Sequence, residues 1–284
     1  MKLLRFGLRG AEKPGLLDER GDIRDLSGVI DDIRGVHLSP TSLAKLAALD
    51  VGSLPMVAGA VRLGAAVASP GKFVAIGLNY RDHAREANLP IPAEPVVFTK
   101  ATSCICGPYD DVIRPRHSKK IDWEAEIGLV IGTKAQYVSV AEAPGHIAGY
   151  CVVNDVSERH YQNERGGTWD KGKGFDTFGP IGPYLVTADE VGDPQRLAVW
   201  LDVNGERMQT GNTADMIFTC AQIVSYLSEC MTLMPGDIVT TGTPAGVGLG
   251  MKPPRFLAVG DVVTLGIDKL GEQRQTVVDF RIDR

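Results

Sequence analysis

The chain has 284 residues, 44% of them hydrophobic and 23% charged, a composition that allows a full hydrophobic core and excludes a disordered or fibrous protein. Lysine and arginine number 30 against 35 aspartates and glutamates, for a net charge of −5. Without a basic block, this excludes the electrostatic footprint of a nucleic-acid binder.

The 33 glycines and 17 prolines imply many tight turns, so a β-rich architecture is expected over a helical bundle. No apolar run reaches the roughly 18 residues of a membrane-spanning helix. The opening MKLLRFGLRG is too charged for a secretory signal, and a cytoplasmic protein that does not engage a membrane is expected. Cys104, Cys106, Cys151, Cys220 and Cys230 are odd in number and irregularly spaced; they read as reduced, mostly buried small hydrophobes rather than a disulfide or zinc framework.

Residues 1–68 read as a small N-terminal β-rich domain. A strand runs from Lys2 to Gly7, turns follow at Lys13-Pro14-Gly15 and Glu19–Asp22, and Ser39-Pro40-Thr41 starts a short helix to Leu49, with proline where the first turn tolerates it. No chemically useful groups collect there, so the segment suits a structural part or a lid. Ser69-Pro70-Gly71-Lys72 is the linker to a larger domain, residues 69–284. Phe73–Leu78 is a buried strand, Asn79–Ala87 has helical character, and Val96–Lys100, Ile121–Ile131, Gly149–Asn154, Tyr184–Thr187, Leu197–Val203, Ile238–Thr241 and Val262–Ile267 are further strands. One clear helix is expected from Asp215 to Cys230, with Ile217, Ala221, Val224 and Leu227 as its core stripe. The class is mixed but β-rich (α+β), a roll or barrel.

Within Ile121–Ile131, Glu124 and Glu126 are two apart, so on a strand they share a face. A buried carboxylate pair must be protonated, paired or bound to a cation. A second apolar strand, Gly149–Asn154, leads into Asp155. Three carboxylates at the ends of buried strands make a hard-oxygen site suited to Mg2+ or Mn2+. A solvated strand face paired with lysines is the other reading that the spacing allows.

His83 and Glu86 are three apart and meet on one helix face. A carboxylate there orients an imidazole for general-base work, although the same spacing also describes a surface ion pair beside Arg81, Asp82 and Arg85. His37, His117, His146 and His160 have no comparable companions. Lys171-Gly172-Lys173-Gly174 reads as a glycine-rich loop close to a ligand, with Lys173 placed to stabilise an enolate oxygen and Lys171 solvated. Arg159 and Gln162, three apart, can hold a substrate carboxylate or belong to an ordinary helix cap. The run Thr241–Gly248 resembles an anion-cradling loop without the Gly-Lys-Ser/Thr ending of a nucleotide P-loop; Gly242 and Thr243 are its candidate contacts.

Five stretches in order, Gly77–Glu86, Asp122-Trp123-Glu124-Ala125-Glu126, Gly149–Arg159, Lys171–Pro180 and Thr240–Gly248, resemble the fumarylacetoacetate hydrolase family from about residue 70 onward. Within it the chain looks most like hydrolases of 2,4-diketo-3-deoxy sugar acids, whose relatives are often labelled ureidoglycolate lyase. The resemblance implies a β-sandwich roll, usually a homodimer, with Mg2+ or Mn2+ (Ca2+ in a crystal) held by Glu124, Glu126 and Asp155. It also implies a water-activating His83–Glu86 pair on a mobile helical lid, and an enolate-stabilising Lys173.

The expected reaction is metal-dependent hydrolysis of the C3–C4 bond of a 2,4-dioxo acid, releasing pyruvate. Ureidoglycolate cleavage to urea and glyoxylate, oxaloacetate decarboxylation, and non-catalytic binding of a 2-oxo acid are the alternatives. All of these require the three acidic side chains to share one coordination sphere.

Overall fold

Apolar runs bounded by glycine and proline become strands along most of the chain. The computed structural model describes residues 1–282. In chain order the elements are β1 (Lys2–Phe6), β2 (Lys13–Leu17), β3 (Ile23–Asp25), α1 (Pro40–Ala47), β4 (Phe73–Gly77), α2 (Arg81–Glu86), β5 (Val96–Thr99), β6 (Ile105–Cys106), β7 (Val112–Arg114), β8 (Ile121–Asp122), β9 (Ala125–Ile131), β10 (Ile147–Asn154), β11 (Ser157–Glu158), α3 (Arg159–Asn163), α4 (Asp170–Lys173), β12 (Gly179–Thr187), α5 (Ala188–Val191), β13 (Ala198–Val203), β14 (Glu206–Asn212), α6 (Cys220–Cys230), β15 (Ile238–Thr240), β16 (Val262–Ile267) and β17 (Gly271–Asp279).

One mixed sheet has the order β3-β2-β1-β12-β10-β9-β15-β4-β5, with β6 added on β12. A five-stranded sheet, β14-β13-β16-β17-β7, packs against it, and β8 and β11 form a separate two-stranded ladder. This is the expected β-rich sandwich roll. Strands β9 and β10 are buried along their whole length because they are covered on both faces, which is why they read as nearly unbroken apolar runs. The two sheets are also joined by polar bonds: the Gln273 amide on β17 donates to the carbonyls of Val152 (2.8 Å) and Gly182 (3.0 Å).

The N-terminal segment is β-rich and is hydrogen-bonded into the large sheet, with Lys2 opposite Val186 and Leu3 opposite Leu185. Leu3, Leu16, Leu26 and Leu38 join the common core. Nothing before Ile76 lines the main cavity. Lys13-Pro14-Gly15, expected as a turn, lies inside β2. Pro14 has no N–H to give, and the Arg5 carbonyl opposite it accepts from Gly64 instead.

Helix α6 starts at Cys220, five residues later than expected, because Thr219 caps it reciprocally with Gln222 and so satisfies two terminal donors at once. Its buried stripe is Cys220, Ile223, Val224 and Leu227, and Ile217 lies ahead of it. Four of the five cysteines are buried, Cys230 is exposed, and all are unpaired. Among the described residues, no helix is long and apolar enough to cross a membrane.

Candidate active site

The expected single strand Ile121–Ile131 is interrupted at Trp123-Glu124, between β8 and β9. Glu124 therefore reaches the site from a break rather than by strand alternation. Register does the rest. Strand β10 runs antiparallel to β9 with Val153 opposite Glu126 and Asn154 opposite Ala125. The next residue, Asp155, then donates its N–H to the Glu124 carbonyl at 2.9 Å. Glu124, Glu126 and Asp155 are all buried and offer oxygens within 4.8 Å of one another.

Cationic side chains surround this cluster. Lys173 Nζ bridges Glu124 Oε2 (2.6 Å) and Asp155 Oδ2 (2.8 Å). Arg159 reaches Glu124 Oε1 (2.6 Å), Asp122 Oδ2 (2.8 Å) and Gln162 Oε1 (2.9 Å). Lys100, also buried, bonds Asp155 Oδ1 at 2.6 Å and the Lys173 carbonyl. Four buried carboxylates, counting Asp122, thus face three buried cations.

The imbalance falls on Glu126. Burial, and then the charges of Asp155 and Glu124, push its carboxyl well above the usual range. For Glu124, burial is outweighed by the Arg159 guanidinium and the Lys173 ammonium, and its carboxyl is brought down to about 2. Lys173 is buried too, but Asp155 and Glu124 hold its pKa above the ordinary lysine value, so it is a fixed cation and not a base. An all-oxygen donor set with one carboxyl that keeps a proton unless another positive charge arrives fits a hard divalent ion.

Helix α2 brings the expected base pair to the same cavity. His83 Nδ1 and Glu86 Oε2 are 2.9 Å apart, and Glu86 Oε1 accepts the Gly246 N–H at 2.9 Å. Gly250 allows this approach, because a Cβ there would lie 2.3 Å from the Glu86 carboxyl carbon. The helix is also tied at its start, where Arg81 bonds the Met216 carbonyl (2.9 Å) and the Asn79 amide bonds the Thr241 carbonyl (2.8 Å).

The run 241–248, expected to cradle a substrate anion, cradles the protein's own carboxylates instead. Gly242 N–H donates to Glu126 Oε2 (2.8 Å), Gly246 N–H to Glu86, Gly248 N–H to Asp122 Oδ1 (2.7 Å), and the next residue, Leu249, donates to Asp122 Oδ2 (2.9 Å). The Thr243 hydroxyl donates to the Ala125 carbonyl (2.9 Å) and accepts from Gln209 (2.8 Å). The Gly242 N–H and the Thr243 hydroxyl, both expected to contact substrate, are therefore engaged within the protein.

Lys171–Lys173 is not a loop but belongs to α4. Gly172 makes this possible: a Cβ there would come within 2.6 Å of the Gln162 backbone nitrogen on α3. Lys171 is exposed and bonds the Arg165 carbonyl (3.1 Å).

A cavity of about 580 Å3 joins these groups. His83, Glu86, Glu124, Glu126, Arg159, Gln162, Lys173, Gly242 and Thr243 all line it, while Asp155 lies behind Lys173. The roles of Asp122 and Lys100 were not visible from sequence. Asp122 stands two residues before Glu124, and Lys100 ends an apolar strand where a buried cation is unexpected; both are signals, but neither names a partner.

The fumarylacetoacetate (FAA) hydrolase C-terminal family matches residues 72–278. A Burkholderia cenocepacia protein designated only as a hydrolase is 61% identical over 277 residues, spanning 97% of this chain and 98% of its own. The crystal structure of a fumarylacetoacetate hydrolase from Exiguobacterium antarcticum superposes with a TM-score of 0.88 at 35% identity, covering 99% of this chain and 100% of that one. The maleylpyruvate hydrolase of Sphingobium sp. SYK-6, solved with manganese(II) and pyruvate, gives 0.83 at 28% identity, with coverage of 99% and 100%. A chain matched by the family over most of its length, and by such relatives from end to end, belongs to the fumarylacetoacetate hydrolase family.

Proposed function

We propose that the protein is a divalent-cation-dependent hydrolase that cleaves the C3–C4 bond of a 2,4-dioxo acid to release pyruvate and a second carboxylic acid. The observation that carries this reading is that Glu124 and Glu126, with Asp155 clustered beside them, share one cavity with the hydrogen-bonded His83–Glu86 pair. The manganese and pyruvate of the maleylpyruvate hydrolase structure support the same cofactor and product class here. Glu124, Glu126 and Asp155 would hold Mg2+ or Mn2+, which supplies Lewis acidity toward the 2-oxo acid end of the substrate.

The chain's own residues account for the proton and electron movements. Glu86 is fixed by the Gly246 N–H and accepts from His83 Nδ1, which leaves Nε2 to take a proton from water. The water oxygen adds to C4. Collapse of that adduct breaks the C3–C4 bond, and its electron pair passes to C3 and the C2 oxygen as the enolate of pyruvate. The Lys173 ammonium stabilises the enolate oxygen as a charged donor. The His83 proton then returns to C3, so one water is consumed and no redox partner is needed. Arg159 and Gln162 border the same space and position the substrate carboxylate.

The test is pyruvate release from a panel of 2,4-dioxo acids with Mg2+ and with chelator. Release that depends on the cation is expected. Cleavage only of ureidoglycolate, to urea and glyoxylate, or only of oxaloacetate, to CO2 and pyruvate, would overturn the hydrolase reading.

A further inference from the structure

Burial divides the cavity into two chemically different ends. At the inner end, Glu124, Arg159, Gln162 and Lys173 are buried and joined by hydrogen bonds, with Glu126 buried beside them. Beyond these groups and His83, Glu86 and Thr243, the wall is mainly hydrocarbon, formed by Leu78, Leu89, Phe98, Trp169, Leu249 and Met251 among others. Leu89 and Leu249 are exposed there, at 50% and 40%, which leaves apolar surface at the mouth with no protein cover.

This wall is built rather than incidental. The Trp169 and Phe98 rings meet edge to face at 5.6 Å. Lys173 Nζ lies 5.0 Å from the Phe98 ring centre, so the aromatic pair runs from the catalytic lysine outward. Trp169 also rests on bare backbone: a Cβ on Gly77 would meet its ring at 2.4 Å. Among the described residues, the polar side chains lining this outer end are Asn163 and Lys252, both exposed at the rim.

We propose that the outer end receives a hydrocarbon substituent, aryl or alkyl, on the C4 side of the substrate, with Trp169, Phe98 and Leu249 as specificity-determining residues. The proposal rests on the hydrolase reading and narrows it. With the 2-oxo acid end held by the buried polar groups, whatever follows C4 must lie against this wall. Hydroxyl groups placed there would lose water and find few side-chain partners, the Trp169 indole N–H and the exposed Asn163 and Lys252, which argues against the polyhydroxylated sugar acid suggested by the sequence resemblance. A terminal carboxylate would have only the solvated Lys252 at the rim.

The full-length protein with Mg2+ is given four 2,4-dioxo acids whose C4 substituent is methyl, phenyl, dihydroxyethyl or carboxymethyl. The phenyl acid is expected to exceed the dihydroxyethyl acid in kcat/KM by about tenfold or more, the scale set by apolar pocket contacts. Trp169→Ala, and independently Leu249→Asn, should remove most of that advantage, chiefly through KM. Preference for the dihydroxyethyl acid would overturn the proposal. So would preference for the carboxymethyl acid that disappears in Lys252→Ala. If no acid is cleaved, the hydrolase reading fails, and calorimetric binding of the same four acids still tests the wall: tightest binding of the phenyl acid supports it and equal affinities refute it.

Discussion

Asp122→Asn is the most demanding test of how the site is held together. The Asp122 carboxylate is fully buried and accepts four hydrogen bonds: Trp123 N–H at 2.8 Å, Gly248 N–H at 2.7 Å, Leu249 N–H at 2.9 Å and Arg159 Nε at 2.8 Å. Asparagine preserves the shape but keeps one acceptor oxygen. Whichever way the amide turns, its NH2 faces two donors that had been bonded. Hydrogen bonds to charged groups contribute about 1.5–3 kcal/mol each, and removing one partner of a buried ion pair costs about 3–5 kcal/mol. Because Arg159 keeps Glu124, the lower part of that range applies, about 3 kcal/mol. For a domain of this size, roughly 2–4 °C per kcal/mol gives a fall in Tm of about 6–12 °C. Thermal and urea unfolding followed by circular dichroism measure it. Asp202→Asn, in a more exposed pair with Arg207, is the control and should change stability by less than about 1 kcal/mol. If Asp122→Asn behaves like that control, Asp122 does not organise the site as argued.

Four further outcomes follow from the same geometry. Because the Glu126 carboxyl is raised above its unfolded value of 4.5, its contribution to stability without a cation is fully present below pH 4.5 and is lost as pH rises through the folded pKa. A cation must displace that proton, so Mg2+ affinity should rise by up to about tenfold per pH unit below the folded pKa. Calorimetry in buffers of different ionisation enthalpy should then show proton release on Mg2+ binding below the folded pKa; none in the wild type, or as much in Glu126→Gln, would contradict this. His83→Ala should keep Mg2+ binding while turnover falls by about 10²–10⁴-fold, and parallel loss of both would place His83 in the cation site instead. Lys100→Met strips Asp155 Oδ1 of its buried partner and should destabilise by about 3 kcal/mol, read by the same unfolding assays. The homodimer expected from the family is checked by sedimentation velocity, where a monomer at micromolar concentration would refute it.

The local chemistry of the site was largely legible in the sequence, and its spatial assembly was not. Asp122-Trp123-Glu124-Ala125-Glu126 and Asn154-Asp155 stand out because acids end otherwise apolar runs. That Asp155 lies beside Glu124, however, is a property of the β9–β10 register, which no local pattern contains. Strands β14 and β17 were invisible for a different reason. Their inward positions carry glutamines: Gln209, Gln273 and Gln275 are fully buried. Each is satisfied inside, Gln275 for instance by the Pro108 carbonyl at 2.7 Å, so burial there follows hydrogen bonding rather than hydrophobicity. The 241–248 run was read as a cradle for a substrate anion, and four amides of residues 242–249 bond carboxylates of the chain. A sequence shows that amides are free to converge, not whether the charge they meet belongs to a ligand or to the chain.

That reassignment changes how the site is understood. Gly242, Gly246, Gly248 and Leu249 hold one carboxylate from each working part: Glu126 of the acidic cluster, Glu86 of the base pair, and Asp122, which anchors Arg159. Side-chain ion pairs alone would leave these parts adjustable, because Lys173 and Arg159 each serve two carboxylates and can shift between them. Backbone amides are set by the path of the main chain, and charge-assisted bonds to them fix a carboxylate in both position and orientation. The loop is thus the common reference for groups that come from a helix and two strands. It explains how the His83–Glu86 pair on the short helix α2 keeps its alignment with the buried acidic cluster.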